Sequence, residues 1–313
     1  GIAAHLANSN RQVVLLDLKS KDKPNQISEN AIDIIKKSDP PLLVERSRID
    51  HIKPGNLDDD FNEIKDADWV IEAVVERIDI KHKLYSQIDK VRSPNSIISS
   101  NTSTIPLSIL TQEMSDSMKA DFCITHFFNP VRFMRLLEIV ETPTMNKDKM
   151  DGLRDFCKNE LGKGIVNCND TPGFIGNRIG VYAMQVAMYE ALERGLPVEI
   201  ADALFGRPLG IPKTGVFGLY DLIGIDLMKD VLASFKKELQ ENDPFMDVVK
   251  PHPLVEQLLE KGFNGNKGPG GFYQTTIVEG DEHVKAMNTS DMSYYDFDKV
   301  DLEIARRVEK EGI

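Results

Sequence analysis

An α/β domain built on a parallel sheet, followed by an all-α domain, is the architecture this sequence predicts, and three observations predict it. Short apolar runs that end in polar or turn residues alternate with helical patterns as far as about Asp170, the rhythm of strand-helix-strand units. From Phe174 onward helical patterns follow one another without strands. The length of 313 residues suits two domains at about 150 residues each. The reading divides the chain into residues 1–170, residues 171–275 and a polar, acidic extension over 276–313.

The elements follow in order. Ile2 to Asn8 carries Ala3, Ala4, Leu6 and Ala7, small residues that let a helix lie close against a sheet. Gln12 to Leu16 reads as a strand, and its unbroken Val13-Val14-Leu15-Leu16 run predicts burial on both faces. Asp17 ends it. A polar stretch from Lys19 to Glu29 leads into a short helical pattern at Ile32, Ile34 and Ile35, closed by Pro40-Pro41. Asp68 to Val75 is a strand, Ile78 to Val91 a helix, and Ser96 to Ser100 a strand running into Asn101-Thr102-Ser103. Cys123 to Phe128, Leu136 to Val140 and Gly164 to Cys168 are further strands, with a helix over Lys149 to Leu161. The second domain opens on a long helix, Phe174 to Arg194, with Asn177 and Arg178 in its first turns. Helices over Val198 to Phe205, Phe217 to Leu239 and Leu254 to Lys261 complete it. Beyond Gly270-Gly271-Phe272-Tyr273 the composition turns polar, with a weak helical pattern over Asp298 to Val308.

Composition bounds the function. Apolar residues make up 41 % and charged residues 28 %, enough to build a core and too ordinary for a disordered or collagen-like chain. Against 38 Lys plus Arg stand 50 Asp plus Glu, a net charge of −12, which disfavours broad contact with nucleic acid or an anionic membrane. An anionic ligand must therefore meet a local basic patch. Runs such as Trp69 to Val75 fall far short of the roughly 20 apolar residues that span a bilayer, so no membrane insertion is expected. The cysteines Cys123, Cys157 and Cys168 lack metal-ligand or framework spacing. They read as free thiols of a reducing, cytoplasmic compartment, with no metal site. No targeting signal opens the chain. Gly1 begins in what reads as the middle of a helix, so the expectation is an N-terminal truncation.

A strand that ends in a carboxylate, reached from a helix of small residues, is half of a dinucleotide-binding pattern, the carboxylate accepting from ribose hydroxyls. Counting back about 20 residues from Asp17 falls upstream of Gly1. The Gly-rich phosphate turn would lie there, and a parallel strand would pair beside Gln12 to Leu16. A sharper signal is Ser99-Ser100-Asn101-Thr102-Ser103, then His126 in Thr125-His126-Phe127-Phe128-Asn129-Pro130, then Glu138. Oxidising a secondary alcohol by hydride transfer needs a base for the hydroxyl proton. An imidazole, titrating near 6.5 in model peptides, suits that task, and a carboxylate beside it stabilises the imidazolium and fixes the tautomer. His126 and Glu138 are the candidates. Ser103 can hydrogen-bond the reacting oxygen, and Asn177 can donate to a substrate carbonyl.

Together with Asp170-Thr171-Pro172-Gly173-Phe174-Ile175-Gly176-Asn177-Arg178, these stretches resemble the 3-hydroxyacyl-CoA dehydrogenase family, in order and spacing, from residue 1 to about 275. The resemblance implies a Rossmann-type NAD-binding domain, a helical C-terminal domain that also forms a homodimer contact, and an active site in the cleft between them. It implies NAD contacts from Asp17, Glu76, Lys81, Ser103, Asn129 and Lys267, and the catalytic set His126, Glu138, Ser103 and Asn177. Lys36 and Lys37 are its candidates for the coenzyme A phosphates, in a segment shorter than in mitochondrial-type members. The implied reaction is reversible oxidation of an (S)-3-hydroxyacyl-CoA, such as 3-hydroxybutyryl-CoA, as in β-oxidation of fatty acids.

Pro54-Gly55-Asn56-Leu57 and the residues after Tyr273 look most like long bacterial and archaeal forms, some of which continue into an enoyl-CoA hydratase domain. Two other readings stand beside this one. A non-catalytic, crystallin-like relative is opposed by the intact His126, Glu138, Ser103 and Asn177. A dehydrogenase of a free 3-hydroxy acid or nucleotide sugar keeps the fold, but a sugar-oxidising relative needs a cysteine nucleophile, and residues 171–275 contain no Cys.

Overall fold

Small side chains bring the first helix down onto its neighbours. Ala4 and Ala7 are fully buried along α1 (Ile2–Asn8), packed with Ile32, Ile35, Leu43 and Ile52. The computed structural model describes residues 1–209, 214–250, 252–278, 280–298, 300, 302–303 and 306–307. These fall into two units, Gly1–Gly176 and Asn177–Ile313.

In the first unit β1 (Val13–Asp17) and β2 (Ile52–Asn56) flank α2 (Gln26–Lys37) and pair in parallel, from Val13↔Ile52 to Asp17↔Asn56. The expected burial of β1 on both faces does not hold, since Val14 is 39 % exposed. A strand whose ladder has a single neighbour, here β2, leaves part of its surface uncovered. The helix α2 begins inside the polar stretch and turns Ile32 and Ile35 inward while Ile34 faces solvent. Strand β2 was not anticipated, because Pro54 and Gly55 lower strand propensity; both are tolerated where a strand has a free side or a close neighbour. A Cβ at Gly55 would stand 2.8 Å from Leu16 Cδ2.

A second sheet runs β3-β4-β5-β6-β7, formed by β3 (Trp69–Glu72), β4 (Ile97–Ser100), β5 (Phe122–Phe127), β6 (Leu136–Glu141) and β7 (Gly164–Asn167). Its helices are α3 (Ile78–Val91), the short α4 (Leu107–Leu110) and α5 (Asp116–Lys119), and α6 (Lys147–Asn159). The sheet is not wholly parallel as predicted: β5 and β6 are antiparallel. Only residues 128–135 join them, and a parallel crossover needs a dozen residues or more. Side chains alternate across β5. Phe122 and Ile124 join a core with Tyr85, Ile88 and Phe174, whereas Cys123 and Phe127 join one with Met150, Leu153 and Cys157.

The second unit contains α7 (Gly176–Glu193), α8 (Val198–Leu204), α9 (Phe217–Ile223), α10 (Ile225–Glu238) and α11 (Pro253–Glu260). The single helix expected over Phe217 to Leu239 is two. Gly224 sits at φ +102°, a conformation side chains rarely adopt, and a Cβ there would lie 2.6 Å from Lys267 Nζ. The second domain is helical as expected, but the polar 276–313 extension also contributes to its core. Strands β8 (Tyr273–Val278), β9 (Asp281–Met287) and β10 (Tyr294–Asp296) form an antiparallel sheet. Its Ala286 and Met287 are fully buried in one core with Val198, Phe217, Tyr220 and Phe272. The helical pattern over Asp298 to Val308 lies mostly outside the described residues. No helix among the described residues is long and apolar enough to cross a membrane.

Candidate active site

The antiparallel register of β5 and β6 sets His126 directly opposite Glu138, which explains their 12-residue separation in sequence. His126 Nδ1 and Glu138 Oε2 are 2.8 Å apart, and the Glu138 side chain is fully buried. Its other oxygen, Oε1, accepts the N–H groups of Ile175 at 2.9 Å and Gly176 at 2.6 Å. Burial works against this carboxylate, but the hydrogen bonds from His126, Gly176 and Ile175 prevail and hold it below the usual glutamate range. An ionised carboxylate only accepts, so Nδ1 carries a hydrogen, and in the neutral ring Nε2 holds the lone pair. Phe128 and Phe174 lie against the imidazole at centroid distances of 4.5 and 5.8 Å. The Cys168 thiol, 3.7 Å from Glu138 Oε1, is pushed up to about 11 by burial and by that carboxylate.

A second group gathers at the carboxyl ends of the parallel strands, where open α/β sheets hold their ligands. Ser103 follows β4, and its N–H donates to Glu76 Oε1 at 2.8 Å. Glu76 also accepts from the Thr102 hydroxyl at 2.9 Å. Lys81 was expected at the cofactor, yet its side chain is 1 % exposed and lies beneath Glu76, paired with Glu72 at 2.7 Å and Glu76 at 3.3 Å. Glu72 was not anticipated at all. Its signal was present in the sequence, since a carboxylate inside the apolar Trp69–Ala73 run must find partners if buried. Nor was Asn101 singled out for its own part: its Oδ1 accepts the Phe127 N–H at 2.9 Å and so steadies the strand beside His126.

The remaining expected residues are spread over both units. Asp17 ends β1, and its Oδ1 accepts the Leu18 N–H at 2.7 Å. Asn129 is exposed just past β5. Lys36 and Lys37 close the last turn of α2. Lys36 stands 3.8 Å from Asp33 with both side chains more than half exposed, the look of a solvated face. In the second unit Asn177 is half-buried near the start of α7, and Lys267, half-exposed, lies 3.5 Å from Asp226. The first unit's polar groups fit a dinucleotide: half-exposed carboxylates at Asp17 and Glu76 suit ribose hydroxyls, and half-buried Ser103 bonds Glu76. Among the described residues no three His, Cys, Asp or Glu side chains are placed to hold a metal ion.

Residues 1–171 match the family model described as 3-hydroxyacyl-CoA dehydrogenase, NAD binding domain, and residues 173–275 match its C-terminal domain. A putative fatty acid oxidation complex trifunctional enzyme of Rickettsia felis is 41 % identical over 304 residues, covering 96 % of this chain and 42 % of that protein. The chain thus spans about two fifths of the length of such relatives. A probable 3-hydroxyacyl-CoA dehydrogenase of Deinococcus radiodurans is 35 % identical over 89 % of this chain and 80 % of that protein. The crystal structure of 3-hydroxybutyryl-CoA dehydrogenase from Escherichia coli superposes with a TM-score of 0.71 at 28 % identity, over 87 % of this chain and 56 % of that one.

Proposed function

The chain belongs to the 3-hydroxyacyl-CoA dehydrogenase family, and from that membership we propose that it catalyses NAD-dependent, reversible oxidation of (S)-3-hydroxyacyl-CoA to 3-oxoacyl-CoA. The single observation that carries this reading is the His126–Glu138 contact of 2.8 Å, with Glu138 held on its far side by two backbone N–H groups. It speaks against a non-catalytic relative, because a buried carboxylate kept ionised beside an imidazole is more than packing requires.

NAD, when bound, supplies the acceptor for the hydride that leaves the substrate carbon. The residues of this chain handle the proton. His126 Nε2 takes it from the hydroxyl as the carbonyl forms, and Glu138 stabilises the resulting imidazolium and keeps the ring from turning. In the reverse direction the same nitrogen returns it. Ser103 hydrogen-bonds the reacting oxygen. Asn177 donates its amide to the thioester carbonyl, an assignment that rests on the resemblance. Asp17 accepts from the adenosine ribose and Glu76 from the second ribose; the roles of Asn129 and Lys267 at the cofactor rest on the resemblance alone. Lys36 and Lys37 would meet the coenzyme A phosphates.

We propose further that the protein is cytoplasmic and a homodimer through its helical domain. The unspaced thiols support the first. The exposed apolar side chains Ile179, Tyr182 and Leu227 on α7 and α10 support the second. Acting beside or fused to a hydratase fits relatives named as trifunctional enzymes. Initial rates with NADH and NADPH across 3-oxoacyl-CoA chain lengths test the activity. Reduction of a 3-oxoacyl-CoA with NADH is expected; turnover of free 3-oxo acids but of no thioester would overturn it. Ultracentrifugation giving a monomer at micromolar concentration would overturn the dimer.

A further inference from the structure

We infer that Glu72 is a positioning residue that fixes the Glu76–Ser103 edge of the cofactor site through Lys81, an inference that rests on the dehydrogenase reading above. Glu72 is the last residue of β3, and its side chain is 0 % exposed. Oε1 accepts from Lys81 Nζ at 2.7 Å and from the Val74 N–H at 2.7 Å. Oε2 accepts from the Tyr85 hydroxyl at 2.5 Å and the Ser100 hydroxyl at 2.6 Å. Three elements are thereby tied to one carboxylate: β3 itself, α3 through Lys81 and Tyr85, and β4 through Ser100.

The arrangement does not end in the interior. Lys81, also fully buried, spans from Glu72 to Glu76 at 3.3 Å, and the Glu76 side chain is 37 % exposed. Glu76 in turn accepts the Ser103 N–H and the Thr102 hydroxyl. Glu72 and Lys81 are buried, and Glu76 is the carboxylate of the three groups that stays accessible. A pair serving stability alone needs no exposed terminus. Here the cation is anchored from below by Glu72, so the carboxylate above it is set in place for a ligand and the Ser103 turn is set with it. Removing Glu72's charge frees the ammonium to follow Glu76, and the turn loosens. Outer partners of this kind orient the groups that touch the ligand.

The test is a double-mutant cycle on the full chain with Glu72→Gln, Lys81→Met and both together. Two quantities are read: hydrogen exchange at the Ser103 amide without cofactor, and NADH affinity by fluorescence titration. Each single variant is expected to speed Ser103 exchange and weaken NADH about 10-fold, and the double variant to equal Lys81→Met. Additive effects overturn the inference, as does a folded Glu72→Gln with native exchange and affinity. If Glu72→Gln does not fold, the double variant, which buries no unpaired charge, is compared with Lys81→Met: equality supports the inference and further loosening overturns it. No NADH affinity in wild-type protein that carries the upstream phosphate turn overturns the dehydrogenase reading, while Ser103 exchange still decides what Glu72 does.

Discussion

Glu138 faces two ways at once: Oε2 meets His126 Nδ1 at 2.8 Å, and Oε1 meets the N–H groups of Ile175 and Gly176 where α7 begins. One carboxylate therefore orients the imidazole and holds the backbone at Ile175 and Gly176. Glu138→Gln keeps a hydrogen-bonding shape but loses the charge that favours imidazolium, so kcat should fall about 10²-fold or more, with a smaller change in KM. Steady-state rates across pH check it.

The same carboxylate carries a pH signature in stability. Its pKa is held below the ordinary value of 4.5, so the stabilisation is present above that value and lost as pH falls through the folded value. The difference in Tm between wild type and Glu138→Gln should shrink as pH falls from about 5 to about 3. Calorimetry over that range reads the difference. A gap that widens on acidification would contradict the assignment.

Two carboxyls of the second unit run the opposite way. Asp202 accepts the N–H groups of Val216, Phe217 and Gly218 and the Tyr273 hydroxyl, and Asp221 accepts those of Phe272 and Tyr273. Burial outweighs these bonds and pushes the two up to about 6 and about 7. An acid with a raised folded value contributes stability below its unfolded value and loses it as pH rises through the folded one. Tm should therefore decline from pH 5 to about 8 on their account, and Asp221→Asn should flatten that decline whatever its overall cost.

Much of this was legible from residues alone, and the exceptions have physical causes. The helix Ile78–Val91 coincides with α3 because its apolar period is uninterrupted. The His126–Glu138 pair was legible as residue types, while the reason for their spacing is a register that no single sequence displays. The strands β8 and β9 were hidden because Thr275 to Val278 and Asp281 to Val284 are solvent-exposed and so carry no apolar alternation. Gly224 broke a helix whose pattern runs straight through it. Glu72 is not legible in sequence because a strand residue with four side-chain hydrogen bonds looks there like one polar interruption.

Asp17 at the end of β1 predicts the choice of cofactor. On the proposed reading its carboxylate would accept from a ribose hydroxyl and repel a 2′-phosphate, so kcat/KM should favour NADH over NADPH. Asp17→Ser should narrow that preference by lowering the NADH value and raising the NADPH value. A wild-type preference for NADPH would remove Asp17 from the site.

The account turns on His126 as the base, and single-turnover oxidation of NADH by a 3-oxoacyl-CoA in His126→Gln tests it most directly. The account predicts that the chemical step slows by about 10² to 10⁴ while the variant stays folded and binds NADH as the wild type does. Single-turnover rates within a few-fold of wild type, or loss of the fold itself, would instead make His126 a core histidine packed against Phe128 and Phe174.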